Sequence, residues 1–272
     1  MSLDETSVSN GELYSVLTNK AGKGGKGALV AMVEGTKAED ISKVFEKIAL
    51  SKRLKVQEVT LDFSPSMENA VERSFPNARL TTDRFHVQQL VTEALQEMRV
   101  ALRWRAIEEE NQAVKQAKQS DARYTPEVYQ NGDTKKQLLA RSRYLLFKSS
   151  SKWVDRQKER SAILFEQFPE LKQAYDLTMC FTGIYETSKT RDEAERRFGE
   201  WFQKVDASSF DSFKTVAHYL EDHLPTILNY FPDRSTNASA ESFNAKLKGF
   251  RALLRGVTDK KFFLFRVSKL YA

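Results

Sequence analysis

The chain has 272 residues, 40% of them hydrophobic and 29% charged, with 43 Lys plus Arg against 37 Asp plus Glu and a formal net charge of +6. This is the composition of a soluble globular protein with room for one large or two modest domains; it excludes a disordered chain and, for want of ~20 consecutive apolar residues, a membrane-spanning one. The single cysteine, Cys180, excludes a disulfide framework and any multi-cysteine metal site, which suits a reducing cytoplasm, and the opening residues do not read as a signal peptide.

The first ninety residues alternate between two periodicities. Leu3–Val8, Glu12–Thr18 and Ala28–Val33 read as an antiparallel meander, turning at Ser9-Asn10-Gly11 and through the Gly/Lys-rich Lys20–Gly27. Ala38–Leu50 places Ile41, Val44, Phe45 and Ile48 at helical spacing, and Val56–Phe63 follows as a buried strand. A helix at Ser66–Ser74 and a fifth strand at Ala78–Thr82 complete a mixed α/β sheet. From Phe85 to Phe231 the periodicity is helical: Val87–Ala117, Lys135–Lys148, Lys152–Phe168, Glu170–Glu186, Arg191–Val205 and Ser212–Leu220, with Pro225 interrupting the last stretch. After Pro232–Thr236 comes a final helical block. The expected plan is a sheet domain formed by residues 1–90 and 232–272, with a mostly helical insertion domain at 91–231.

The charge is unevenly placed. The last 38 residues hold eight basic and two acidic side chains, a surplus equal to that of the whole chain. A basic surface facing a polyanion and a solvated basic tail both account for it. Three carboxylates stand apart by position. Asp4 lies in the first strand and Asp62 at the end of a buried one, where an acid is costly unless paired or bound to a cation, although an edge-strand position and a turn cap would also explain them. Glu241 shares one helical face with Asn237, Asn244 and Lys248, opposite an apolar face of Phe243, Leu247, Phe250 and Leu254. It is the only acid between Asp233 and Asp259, amid Lys246, Lys248, Arg251 and Arg255. It reads either as a member of helical ion pairs or as a metal ligand among phosphate-binding cations.

Leu3-Asp4-Glu5-Thr6, Leu61-Asp62-Phe63-Ser64, Pro76-Asn77-Ala78, Asp83-Arg84-Phe85-His86-Val87 and the block Thr236–Asn244, followed by Lys248 and Arg255-Gly256, occur in this order. In that ordered combination the chain resembles the insertion-sequence transposases of the IS-L-three family over most of its length. The resemblance implies a bacterial DNA transposition enzyme with a ribonuclease H-like fold and a large all-α insertion between the second and third catalytic carboxylates. It implies a DDE triad at Asp4, Asp62 and Glu241 that holds two Mg²⁺ ions, with Mn²⁺ able to substitute. The implied partners are DNA, as transposon end and target, and further copies of the chain, in a cytoplasmic, nucleoid-associated complex. The family's zinc-binding and helix-turn-helix end-recognition region, which precedes the first catalytic strand, has no counterpart before Asp4, so end recognition is not expected of these residues.

Lys246, Lys248, Arg251 and Arg255 are the expected phosphate contacts. Asp83, His86, Asn237 and Asn244 are auxiliary candidates, with capping or packing the simpler account of Asp83 and His86. Trp104, Trp153 and Trp201 read as core or interface anchors, Cys180 as a buried thiol, and His218 with His223 as no convincing zinc site. Lys23–Gly27 lacks the Gly-Lys-Ser/Thr ending of a nucleotide loop and precedes a strand, so it reads as a flexible hairpin turn. Two rivals remain: a ribonuclease H-like host nuclease, which would cleave without strand transfer, and a catalytically inactive transposase-derived DNA-binding fragment, which would keep the basic helix but not the metal site.

Overall fold

The computed structural model describes residues 1–8, 11–254 and 258–272. Arg255 and most of the turn expected at Ser9-Asn10-Gly11 lie outside the described residues. Strands β1 (Ser2–Ser7), β2 (Leu13–Thr18), β3 (Leu29–Glu34), β4 (Glu58–Leu61) and β5 (Arg79–Thr82) form one sheet in the order β3-β2-β1-β4-β5. β1 and β3 pair antiparallel with β2, whereas β4 lies parallel to both β1 and β5. Parallel neighbours require the chain to cross back. Helices α1 (Ala38–Phe45) and α2 (Leu50–Arg53) precede β4, and α3 (Pro65–Ser74) returns the chain to β5. This is the ribonuclease H-like mixed sheet.

Strand alternation sorts the side chains onto two faces. Leu3, Leu17, Ala31, Val33, Val59 and Leu61 pack on one face against Ile41 and Phe45 of α1 and Met67, Ala70 and Val71 of α3. Tyr14, Val16 and Leu29 pack on the other, under Phe243 and Leu247 of α12 (Ala238–Leu253) and Phe263 and Val267 of α13 (Lys260–Tyr271). Asp4, which follows Leu3 and lies opposite Val16, therefore faces α12. Thr60 and Asp62, alternating with Val59 and Leu61, belong to that same face.

The chain forms two compact units, one of Met1–Val87, Lys189–Arg191 and His223–Ala272, the other of Gln88–Ser188 and Asp192–Asp222. Helices α10 (Leu224–Leu228) and α11 (Tyr230–Asp233) belong to the first unit, whereas the sequence reading places residues up to 231 in the helical insertion. Polar contacts to the edge strand account for the difference. Asn229 Nδ2 donates to Leu80 O at 2.7 Å and the Thr82 and Thr226 hydroxyls lie 2.7 Å apart. Asn229 Oδ1 accepts from Arg191 at 2.5 Å, which ties in the short Lys189–Arg191 segment.

The second unit is helical: α4 (Arg84–Gln119, beginning in the first unit), α5 (Lys135–Arg141), α6 (Asp155–Gln167), α7 (Pro169–Thr187), α8 (Arg191–Asp206) and α9 (Asp211–Asp222). α5 stops seven residues short of the expected Lys148, where the Ser142 hydroxyl and N–H both bond to Leu138 O, at 2.6 and 3.1 Å, and turns follow. Trp201 is fully buried and donates to Leu177 O, and Trp153 donates to Leu145 O, as anchors should. Trp104 is not an anchor within the chain, being 65% exposed on α4, and Cys180 is half-buried rather than buried.

Candidate active site

The site forms where adjacent parallel strands end together. Asp62 follows β4, Asp83 follows β5, and Asp4 sits in β1, while Asp83 N–H donates to Leu61 O at 2.9 Å and holds the two strand ends level. His86 lies on the first turn of α4, and its Nε2 is 3.0 Å from Asp62 Oδ2. One oxygen each of Asp62 and Asp83 and a ring nitrogen of His86 lie within 4.8 Å of one another. Asp83 and His86 are therefore part of the acidic site, although capping or packing was the simpler reading of the sequence. The cap that Asp83 does provide is for a different helix from the one it precedes: its Oδ1 accepts the N–H of Asn237, at the start of α12, at 3.3 Å.

Helix α12 grips the site with two asparagines. Asn237 Nδ2 donates to Asp62 Oδ1 at 3.1 Å, and Asn244 Nδ2 donates to Asp4 Oδ2 at 2.7 Å and, at 3.5 Å, to Glu5 O. Both asparagines are buried, while Glu241 between them is exposed on the first turn of the helix. An ionised aspartate at either position could not donate to the neighbouring carboxylate, whereas the asparagine amide does. A hydrogen bond to a charged group contributes about 1.5–3 kcal/mol. Asn244→Ala is accordingly expected to lower metal-free stability at pH 8, where Asp4 is ionised, by about 2 kcal/mol in urea unfolding, and by clearly less at pH 5.

Burial, reinforced by the negative charge of Asp62, pushes the Asp4 carboxyl up to about 6. The N–H of Glu5, 2.8 Å from Asp4 Oδ1, opposes this, as does His86, while Glu241 adds to it. Burial likewise raises Asp83, against the N–H of Asn237 and with the charges of Asp62 and Glu241. The hydrogen bond that His86 donates to Asp62 raises the imidazole above its ordinary value despite burial. Glu241 thus acts electrostatically on both Asp4 and Asp83.

The donors suit a hard divalent cation. Carboxylate oxygens predominate, burial raises both the Asp4 and the Asp83 carboxyl in the absence of positive charge, and the buried amide oxygens Oδ1 of Asn237 and Asn244 have no hydrogen-bond partner. An oxygen-rich set of this kind fits Mg²⁺ or Mn²⁺ better than a soft metal.

The basic segment is less available than its composition implies. Arg251, expected to contact phosphate, is 6% exposed: its Nε and Nη2 pair with the Glu12 carboxylate at 3.1 and 2.8 Å, and its guanidinium lies over the Phe263 ring. A helical position that looks outward by spacing is here turned onto the sheet. Lys246 is exposed and donates to Gly24 O at 3.0 Å; Lys248, seven residues after Glu241 and on its face of the helix, is exposed. No helix among the described residues is long and apolar enough to cross a membrane.

Comparison with curated proteins and with solved structures finds no match. The family model of the IS-L-three DDE transposases, described as transposase, matches residues 1–267, which include every candidate ligand and both compact units but for the last five residues. Sheet order, strand-end carboxylates and this match agree, and the chain belongs to the IS-L-three family of DDE transposases.

Proposed function

We propose that this chain cleaves DNA strands at transposon ends and joins the released 3′-hydroxyl to target DNA, with Asp4, Asp62 and Glu241 as ligands of two Mg²⁺ or Mn²⁺ ions. The observation that carries the reading is the double grip of α12: Asn237 on Asp62 and Asn244 on Asp4 hold the helix that bears Glu241 against the two strand carboxylates. Bound divalent cations activate the attacking oxygen and stabilise the leaving oxygen of an in-line phosphoryl displacement. The chain's own residues orient and neutralise. Asp62 is central, since Asn237 and His86 fix its two oxygens. Asp83 is a further ligand candidate that also fixes the start of α12. Lys248 offers its ammonium to a phosphate on the side of the helix that carries Glu241. The active complex is proposed to be a homo-oligomer on DNA in the bacterial nucleoid.

End-labelled duplexes, intact or pre-cleaved to a 3′-hydroxyl, test this with Mg²⁺ or Mn²⁺ present. Cleavage together with strand transfer supports the proposal, cleavage without transfer would indicate a host-type nuclease, and metal-independent binding alone an inactive fragment.

Cation binding is expected to follow pH with a definite sign. Asp4 and His86 both hold protons more firmly in the folded, metal-free protein than in the unfolded chain, so their contribution to stability is complete below the unfolded values and is lost as pH rises through the folded ones. For Asp4 that window runs from the ordinary aspartate value of 3.8 to about 6. A cation must displace these protons, so its affinity should rise up to about tenfold per proton displaced per pH unit below pH 6, then level once His86 has titrated. Calorimetric Mn²⁺ titrations from pH 5 to 8 check this, and a pH-independent affinity would contradict it.

A further inference from the structure

The loop between β2 and β3, Lys20–Gly27, carries three lysines and no acid in eight residues. It is a shaped element rather than a slack turn. Asn19 Oδ1 caps a single helical turn at Lys20–Gly22, and N–H groups of Gly22, Lys23, Gly25 and Ala28 bond to carbonyls three residues back. Lys23, Gly24 and Gly27 have φ of 46°, 70° and 79°, and a Cβ on Gly22 would meet Ala28 at 2.6 Å. The loop is anchored at two points. Lys20 Nζ donates to Thr60 Oγ1 at 2.5 Å, on the sheet face that carries Asp62, and its ammonium interacts with Glu58 and Asp83. Lys246 of α12 donates to Gly24 O at 3.0 Å. The loop therefore spans from the strands of the acidic site to the helix that bears Glu241.

Between these anchors the loop presents donors. Lys23 and Lys26 are exposed, and among the described residues the N–H groups of Gly24, Lys26 and Gly27 make no hydrogen bond within the protein. Ammonium groups beside backbone N–H groups in left-handed turn conformations form a surface suited to phosphate oxygens, and glycine lets a polyanionic backbone approach closely. Lys246, which composition would make a phosphate contact, serves here to hold the loop.

We propose that the Lys20–Gly27 loop grips the phosphodiester backbone of the DNA strand engaged at the acidic site, through Lys23, Lys26 and the free N–H groups, without reading sequence. The proposal rests on the DNA-transposase reading above and names a contact surface for it.

The test is fluorescence anisotropy of the full chain with a labelled duplex of arbitrary sequence, in EDTA, from 50 to 300 mM KCl. Wild type is compared with Lys23→Gln/Lys26→Gln and with a control, Lys47→Gln/Lys52→Gln, two exposed lysines, one just after α1 and one in α2. Losing two phosphate contacts should flatten the slope of log affinity against log salt by about 1.8, and weaken binding on the order of 50-fold at 0.1 M salt, since each contact contributes ~0.9 to the slope. The control should keep the wild-type slope, and Lys23→Arg/Lys26→Arg should restore it. Unchanged thermal unfolding verifies that the exposed substitutions leave the fold intact. If the loop variant keeps the wild-type slope while wild type binds DNA, the loop proposal fails and the transposase reading stands. If wild type binds no duplex at any salt, both fail.

Discussion

Asp62→Asn or Asp4→Asn should lower metal-dependent strand cleavage by about 10³-fold or more while leaving the metal-free protein folded. The magnitude follows from the several kcal/mol that cation stabilisation of a phosphoryl transition state supplies, at 1.36 kcal/mol per tenfold in rate. Asparagine keeps the shape of the side chain and an oxygen for Asn237 or Asn244 to donate to, but removes the charge that a cation requires. For Asp4→Asn the metal-free protein should be more stable than wild type at pH 7, because ionising a buried carboxyl that titrates at about 6 next to Asp62 costs free energy. Glu241→Gln should match the loss of cleavage with little change in stability, since Glu241 is exposed. Parallel measurements of cleavage and of thermal unfolding in EDTA separate these effects. A stability loss large enough to explain the activity loss would remove the catalytic interpretation of Asp4 and Asp62.

Breaking the Glu12–Arg251 pair should produce the largest loss of stability in the sheet unit. The two side chains are 7% and 6% exposed, and the bidentate contact joins the strand hairpin to α12 across 239 residues of sequence. Removing one partner of a buried pair typically costs about 3–5 kcal/mol, because the other charge is left unpaired. Glu12→Ala should therefore cost about that much in urea unfolding. Glu12→Leu combined with Arg251→Met should recover most of it, since an apolar pair of similar volume avoids the unpaired charge. If Glu12→Ala and the double variant were equally destabilised, lost packing rather than lost pairing would be the cause. DNA affinity at fixed folded fraction should change little in the double variant, because Arg251 does not face solvent.

The sheet was largely legible in the sequence because its information is local. Leu3 beside Asp4 and Val59-Thr60-Leu61-Asp62 state which way each side chain points once a strand is granted, and the apolar spacing of Phe243 and Leu247 states which side of α12 is buried. The three carboxylates, the two asparagines and the pair Asp83 and His86 could be singled out from strand ends, helix spacing and ordered motifs. Their partnerships could not. Asn237 with Asp62, Asn244 with Asp4 and Arg251 with Glu12 join residues 175, 240 and 239 apart, distances over which no periodicity carries information. Arg251 shows the failure most plainly: a basic residue in a basic helix reads as solvent-facing, and only the buried Glu12 opposite turns it inward. Trp104 fails in the other direction, since its size suggests burial and its helix presents it outward. The segment around Asn229 fails because hydrogen bonds to β5, rather than apolar pattern, decide which unit it joins.

The most direct measurement is anomalous diffraction from Mn²⁺ in crystals of the chain with a cleaved DNA end. The expected result is two manganese peaks about 3.5–4 Å apart, with Asp62 at both, Asp4 and Glu241 completing the ligand set, and the DNA 3′-hydroxyl beside them. Manganese bound only by Asp62, Asp83 and His86, with Glu241 remote from it in the DNA complex, would contradict the assignment of the triad.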